Sequence, residues 1–303
     1  MNKVLTFLKG MAMGAADVVP GVSGGTIAFI TGIYDTLLES IRRVNPSLIG
    51  IWRKNGFKAA FEHINGTFLI LLLSGILTSI FTLARFITWM LHTHPIPLWS
   101  FFFGLIIVSV NHMFKQIEQW KANRFLSVVI GAFFAYGITV LHPLSLEPTS
   151  LNIFIAGSIA ICAMILPGIS GSFILLLLGM YAPILAAAKS MDIITLATFA
   201  LGGIIGLLSF SHVLSWVLRH HRDIALTFLT GLMIGTLSKI WPWKETLTWR
   251  TNSSGQQVPL LEQNLSPLNF EQVTGQPALL AYAITAMLVG IGIVWGLEKI
   301  AEK

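Results

Sequence analysis

Six apolar stretches along the chain approach or exceed the length that crosses a bilayer core of about 30 Å. They are roughly Thr67–Leu91, Leu98–Phe114, Phe125–Leu141, Thr195–Leu218, Ile224–Ile240 and Ala278–Leu297. Two further apolar regions are interrupted. Leu5–Val18 and Ile153–Leu166 run 14 residues each before a Pro-Gly break, too short to cross alone at a rise of about 1.5 Å per residue. The arms that follow, Thr26–Ile41 and Phe173–Ala188, are also slightly short. Short arms around a helix breaker predict re-entrant helical hairpins over 5–41 and 153–188. Irregular backbone at such a tip is tolerated where it is buried in protein or lines a wet cavity. The pattern therefore predicts an all-α polytopic membrane protein with about six full spans.

The breaker is duplicated. Pro20-Gly21-Val22-Ser23-Gly24-Gly25 returns 147 positions later as Pro167-Gly168-Ile169-Ser170-Gly171-Ser172. Each copy is followed at the same spacing by Gly32-Ile33-Tyr34 or Gly179-Met180-Tyr181. Paired breaks in apolar sequence mark the binding site of transporters built from repeats. Similarity continues at an offset of 127, where Phe101–Ser109 matches Phe228–Thr236 and Trp89 matches Trp216. The lost positions correspond to Val44–His63, an insert in the first half carrying Trp52, Phe57 and Phe61 among Arg53, Lys54 and Lys58. It reads either as a helix on the cytoplasmic surface or as a solvated basic loop. The repeats then occupy 1–141 and 153–297. A hairpin adds no net crossing and three spans add an odd number, so the second copy is expected upside down relative to the first.

Charge placement bears on this topology. Hydrophobic residues make up 54% of the chain and charged residues 11%, against about 25% charged in soluble domains. With both motif regions as hairpins, 14 Lys and Arg fall on one side and only Lys189, Lys244 and Arg250 on the other; single crossings would give 11 to 6. The positive-inside rule favours the hairpins and puts both termini in the cytoplasm. The same rule accounts for the net charge of +6 without a nucleic-acid partner. A single cysteine, Cys162, excludes an internal disulfide and a cysteine metal cluster, and no metal or cofactor is expected. Met1–Phe7 lacks a signal-peptide pattern, so the N-terminus is expected to be retained. Trp241–Pro277 is one long polar outer loop, a passive linker or a lid, with Trp241, Trp243 and Trp249 suited to the interfacial belt.

The candidate chemistry lies at the tips. Beyond Pro20-Gly21 and Pro167-Gly168 a helix restarts near Gly24-Gly25 and Gly171-Ser172, leaving unpaired N–H groups and a partial positive charge. Ser23, Thr26, Ser170 and Ser172 add hydroxyl groups, so two tips meeting form a candidate anion site. The competing reading is that these small residues serve helix packing. Helix ends contribute only about 1–2 kcal/mol, whereas burying a charge costs several kcal/mol, so an anion site should add a cation. Arg85 and Lys239 are the cations inside expected spans, and at the 127 offset they stand opposite His212 and His112. Such residues are functional candidates, unless they snorkel to the outer interface. Asp17, three residues before Pro20, is a candidate for coupling to a proton or Na⁺, together with His112 and His212, or for pairing with Arg85.

Gly14-Ala15-Ala16-Asp17-Val18-Val19-Pro20-Gly21-Val22-Ser23-Gly24-Gly25-Thr26 and Leu166-Pro167-Gly168-Ile169-Ser170-Gly171-Ser172 resemble the bacterial polyprenyl-phosphate (undecaprenyl-phosphate) translocases of the PopT type, over nearly the whole chain. The resemblance implies a protein of the bacterial cytoplasmic membrane. It would return the lipid carrier's monophosphate from the outer to the inner leaflet for cell-wall glycan synthesis. In that picture the phosphate docks on the tips and Arg85, then leaves among Arg42 and Arg43. Integral polyprenyl-diphosphate phosphatases are also similar in layout, but there an arginine follows the motif serine. Gly24 and Gly171 stand in its place here, neither half has a glutamate pair, and Ser23 lacks an activating base, so the chain is not expected to be an enzyme. A small-anion carrier or channel is the third reading; it calls for polar faces, and these spans are mostly apolar all round.

Overall fold

The computed structural model describes residues 2–19, 21–117, 119–141, 143–144, 146–251 and 257–301. The fold is mostly helical. In the first half α1 (Lys3–Val18), α2 (Gly24–Ile30) and α3 (Tyr34–Arg42) precede α4 (Ser47–His63), α5 (Gly66–Thr93), α6 (Pro95–Lys115) and α7 (Ala122–Val140). In the second half α8 (Ser150–Ile165), α9 (Gly171–Leu177) and α10 (Tyr181–Ser190) precede α11 (Ile193–His220) and α12 (Arg222–Thr236). A 3₁₀ turn, Leu237–Ile240, extends α12; then come β1 (Lys244–Thr251), β2 (Gln257–Asn264), α13 (Pro267–Thr274) and α14 (Leu280–Ala301). Among the described residues five helices, α5, α6, α7, α11 and α12 with its 3₁₀ turn, are long and apolar enough to cross a membrane, and α14 holds a shorter apolar run, Leu280–Gly296. Each overlaps one of the six expected spans to within about three residues at its ends.

Three expectations change. The arms after the tips are not single helices, because each is cut at the second matched glycine. Gly32 and Gly179 adopt φ of +70° and +73°, a left-handed conformation that glycine reaches without steric penalty. Between α9 and α10 the axis turns by 107°. Second, the outer loop is structured: β1 and β2 pair antiparallel from Lys244↔Asn264 to Thr251↔Gln257, so the chain is not purely α. The pairing brings distant polar residues of 241–277 together. Third, the insert is helical, kinked at Gly56 (φ 81°, ψ 173°), and leaves Ile49, Trp52 and Phe57 exposed.

Helix packing rests on glycine at four interfaces: α1 on α5, α8 on α11, α6 on α14 and α7 on α12. A Cβ at Gly10 would collide with the carbonyl of Leu72, and one at Gly75 with that of Phe7. The same two collisions recur for Gly157 with Phe199 and Gly202 with Phe154, where each residue is 147 or 127 positions from its counterpart. Gly131 and Gly231 lock α7 to α12 against the carbonyls of Phe228 and Val128. Gly290 and Gly104 lock α14 to α6 against those of Phe101 and Met287. Here Gly131 and Gly290 are 159 apart, because the β-hairpin segment lengthens the second half. In a bilayer, where lipid competes for apolar surface, such close backbone approach supplies much of the packing attraction.

Gly202→Leu should therefore force α8 and α11 apart and destabilise the folded protein by about 1–3 kcal/mol or more. Gly292→Ala, whose added Cβ meets nothing within 4 Å, should change stability by less than about 0.5 kcal/mol. Unfolding in detergent reads both; equal stability of Gly202→Leu and wild type would contradict the close contact.

Candidate functional site

The two Pro-Gly tips meet each other. Gly21 and Gly168, at φ of +86° and +88°, turn the chain at equivalent points, and each approaches the end of α12. A Cβ on Gly21 would crowd the Lys239 side chain, and one on Gly168 the Thr236 hydroxyl. Pro20 lies outside the described residues; Pro167 is buried.

The first tip is stitched to the second. Ser23 is fully buried; its hydroxyl accepts from the Gly25 N–H and lies 3.1 and 3.2 Å from the carbonyls of Met164 and Leu166, which it can serve as a donor. The Tyr34 hydroxyl donates to the Ile165 carbonyl at 3.2 Å. These are final carbonyls of α8, which lack intrahelical partners. In return the Gly168 N–H donates to Thr26 Oγ1 at 2.9 Å, and Gly25 sits so close to Ile165 that a Cβ there would strike its carbonyl oxygen.

The expected phosphate seat at the N-terminus of α2 has internal hydrogen-bond partners. The Gly24 N–H donates to Asp17 Oδ1 at 2.7 Å, the Gly25 N–H to Ser23 Oγ, and the Thr26 N–H to the Ser23 carbonyl at 3.0 Å. The first-turn donors are satisfied from within, and Ser23 and Thr26 hold tip to tip. Asp17 pairs with this helix end rather than with Arg85. At the equivalent place in the second half stands Met164, so α9 carries no such carboxylate. Its Ser170 and Ser172 hydroxyls lie 2.9 Å apart instead, with Ser170 buried and Ser172 exposed.

A narrow cleft opens beside the tips, lined by Gly21, Gly168, Ile169, Ser170, Phe173, Thr236 and Lys239, with Ala135, Ile138 and Thr139 of α7 as its other wall. It gathers expected residues from both motifs and one expected cation. Lys239 projects from the 3₁₀ turn with its ammonium 5.3 Å from the Phe173 ring centre. Arg85 is elsewhere: it lies on an exposed stretch of α5 and is not part of the cleft lining. His112 and His212 are half-buried and also lie outside the lining; His212 Nδ1 is 2.7 Å from the Leu208 carbonyl within its own helix.

The sequence reading missed two residues of this site. Glu262 of β2 places Oε2 3.1 Å from Lys239 Nζ and 3.6 Å from Lys244 Nζ. Lys244 also donates to the Lys239 carbonyl at 2.6 Å and sits over the Trp99 ring at 4.2 Å. Burial pushes the Lys244 ammonium down to about 8, against the opposing pull of Glu262. Burial raises the Glu262 carboxyl, but Lys244 and Lys239 outweigh it and leave it below its ordinary value. The alternation of Thr246, Leu247, Thr248 and Trp249 was the available signal for a strand.

At the opposite end of α12 basic residues gather in a second depression lined by Lys121, Arg124, Arg219, His220, His221 and Arg222. Arg42 and Arg43, the expected exit residues, are not among this lining, and both bond Glu39.

Apolar spans, interlocked breaks and a lysine-lined cleft beside them mark a polytopic membrane protein. The profile of the VCA0040-like, undecaprenyl phosphate translocase-like family matches residues 13–258, and the chain belongs to that family. A polyprenyl-phosphate transporter of Vibrio cholerae serotype O1 is 67% identical over all of this chain and 98% of its own length. A polyprenyl-phosphate transporter of Staphylococcus aureus is 34% identical over 79% of this chain and 87% of its own. No solved structure shows a significant match.

Because Ser23 and Thr26 hold the tips together, Ser23→Ala and Thr26→Val should each destabilise the fold by about 1–3 kcal/mol, the penalty for stranding a buried polar partner. Ser172→Ala should be near neutral. Chemical unfolding of the purified variants decides; unchanged stability in both of the first two would contradict the interlock.

Proposed function

We propose that the chain translocates undecaprenyl phosphate, or a closely related polyprenyl phosphate, across the bacterial cytoplasmic membrane. The phosphate is held at the tip cleft and the prenyl chain stays in lipid. The observation that carries this reading is Lys239, set above both glycine turns in a cleft whose outer wall is the apolar face of α7. A lipid headgroup can reach such a cation sideways while its tail remains among the exposed apolar residues of α7, such as Phe133 and Phe134. The family and the printed names of its relatives support the substrate class.

The reading takes the two halves as inverted repeats with re-entrant hairpins, supported by matched glycine contacts at 147 and 127 positions and by the basic residues on one side. Both termini then face the cytoplasm. From Arg222 to Thr236 α12 rises about 21 Å, which sets the cleft beyond the midplane toward the outer leaflet. Arg85, on an exposed stretch in the outer half of α5, serves as a capture cation at the approach to the cleft.

The halves are not packed alike. On the cytoplasmic side α3 lies against α11, and Arg222 pairs with Asp35 at 3.2 Å, while among the described residues α10 makes no comparably extensive packing on α5. This favours a state closed toward the cytoplasm. Rocking of the hairpins would close the α10–α5 gap, open the α3–α11 contact and release the headgroup among Lys121, Arg219, His220 and His221. Transfer runs from outer to inner leaflet in this scheme. Asp17, as the cap of α2, is placed to couple protonation to tip geometry, with His112 and His212 as further coupling candidates. Ser23 is buried and engaged with carbonyl groups, an arrangement that favours transport over nucleophilic catalysis.

In liposomes holding the purified protein, polyprenyl phosphate should cross between leaflets at a rate that Lys239→Ala lowers by at least about tenfold, the loss of roughly 1.4 kcal/mol. Arg85→Ala should raise the substrate concentration needed more than it lowers the maximal rate. Wild-type flipping by Lys239→Ala would overturn the site, and release of inorganic phosphate from the diphosphate without flipping would overturn the function.

A further inference from the structure

Three charged groups meet above the cleft: two ammonium groups, Lys239 and Lys244, and one carboxylate, Glu262, that touches both. All three are largely enclosed, with side-chain exposures of 21%, 6% and 19%. The set carries one positive charge in excess. Buried charges are normally balanced, because an uncompensated one is costly, and the aromatic faces of Phe173 and Trp99 offset the excess only in part. Glu262 arrives on the β-hairpin, an element outside the spans, whereas Lys239 belongs to the end of α12 and lines the cleft itself.

Resting on the translocase reading above, we propose that Lys244 is a second cation for the substrate phosphate and that Glu262 is a resident competitor that makes the site selective for phosphomonoesters. A phosphomonoester carries about −1.5 to −2 at neutral pH, which matches two lysines. It can displace a carboxylate of charge −1 and leave the site closer to neutral. A phosphodiester headgroup, as in the bulk phospholipids that surround the cleft in vast excess, carries a single negative charge. Against Glu262 it gains no charge advantage, and it must also undo an ion pair already formed and desolvated. Selectivity is thus set by an alternative occupant built into the protein, a form of discrimination by competition. When the monoester binds, Glu262 of β2 is released, while Lys244 of β1 and the Asn264–Ser238 bond keep the hairpin docked at the end of α12.

The test is equilibrium binding of undecaprenyl phosphate to the full-length protein in nanodiscs, made with phosphatidylcholine alone or with added phosphatidylglycerol. The wild type should bind the monoester with little effect of phosphatidylglycerol. Glu262→Gln should bind it about tenfold more tightly, the scale of one charge-assisted contact removed from competition. In the same variant phosphatidylglycerol should now compete, while Glu262→Asp should retain the discrimination. Lys244→Met, which keeps Glu262 and the hairpin's apolar contacts, should weaken monoester binding and narrow the gap between monoester and diester.

If the wild type binds but Glu262→Gln and Lys244→Met leave both affinities unchanged, the inference is overturned and the translocase reading stands. If the wild type fails to bind the monoester at all, the translocase reading itself fails, and this inference with it.

Discussion

The junction of the two Pro-Gly tips is the constraint on which the site depends. Breaking a helix in the middle of an apolar protein strands carbonyl groups at one end and N–H groups at the other, and no lipid can satisfy them. The chain solves this by making each break complete the other. Ser23 and Tyr34 answer the last carbonyls of α8, Thr26 answers the Gly168 N–H, and Asp17 answers the start of α2. Glycine at position 25 lets the two backbones come close enough for these bonds to form. The tips are thereby fixed against each other, and the cleft lies on their outer rim rather than between them.

This placement separates two roles that the repeated motif seemed to merge. The serines of the two copies are equivalent in sequence, yet Ser23 binds across the junction while Ser170 lines the cleft. The copies differ at the residues that make these contacts: Asp17, Gly25 and Thr26 in the first half stand against Met164, Ser172 and Phe173 in the second. A carboxylate at the first helix end repels a second anion from it. Cationic side chains stand at the other rim, where Lys239 meets the hairpin groups. The duplicated motif supplies the matched glycine turns, and divergence between the copies gives them different polar contacts.

Much of this was legible in the sequence. The spans followed from hydropathy because bilayer thickness fixes their length, and the pairing of motifs followed from a spacing that survives in the contacts of Gly10 with Leu72 and Gly157 with Phe199. The second break at Gly32 and Gly179 was visible as a match, but a glycine within an apolar run looks alike whether it packs or bends. Asp17 was noticed as an odd acid; that it caps a helix seven residues on depends on a turn whose geometry no periodicity encodes. Arg85 drew attention as an intramembrane cation, although a side chain's direction around a helix decides its role. Glu262 and Lys244 lay in a polar segment where charge is ordinary, and only strand pairing and the fold of the hairpin onto α12 brought them to Lys239.

The central claim is that one site is exposed alternately by movement of the hairpins on the spans, and distances across the two sides address it most directly. In a Cys162→Ser background, spin labels at Thr36 and His221 report the α3–α11 side, and labels at Ser190 and His92 report the α10–α5 side. Adding undecaprenyl phosphate to the protein in nanodiscs should lengthen the first distance as it shortens the second. Two distances that stay fixed while the labelled protein still moves the lipid between leaflets would contradict the account.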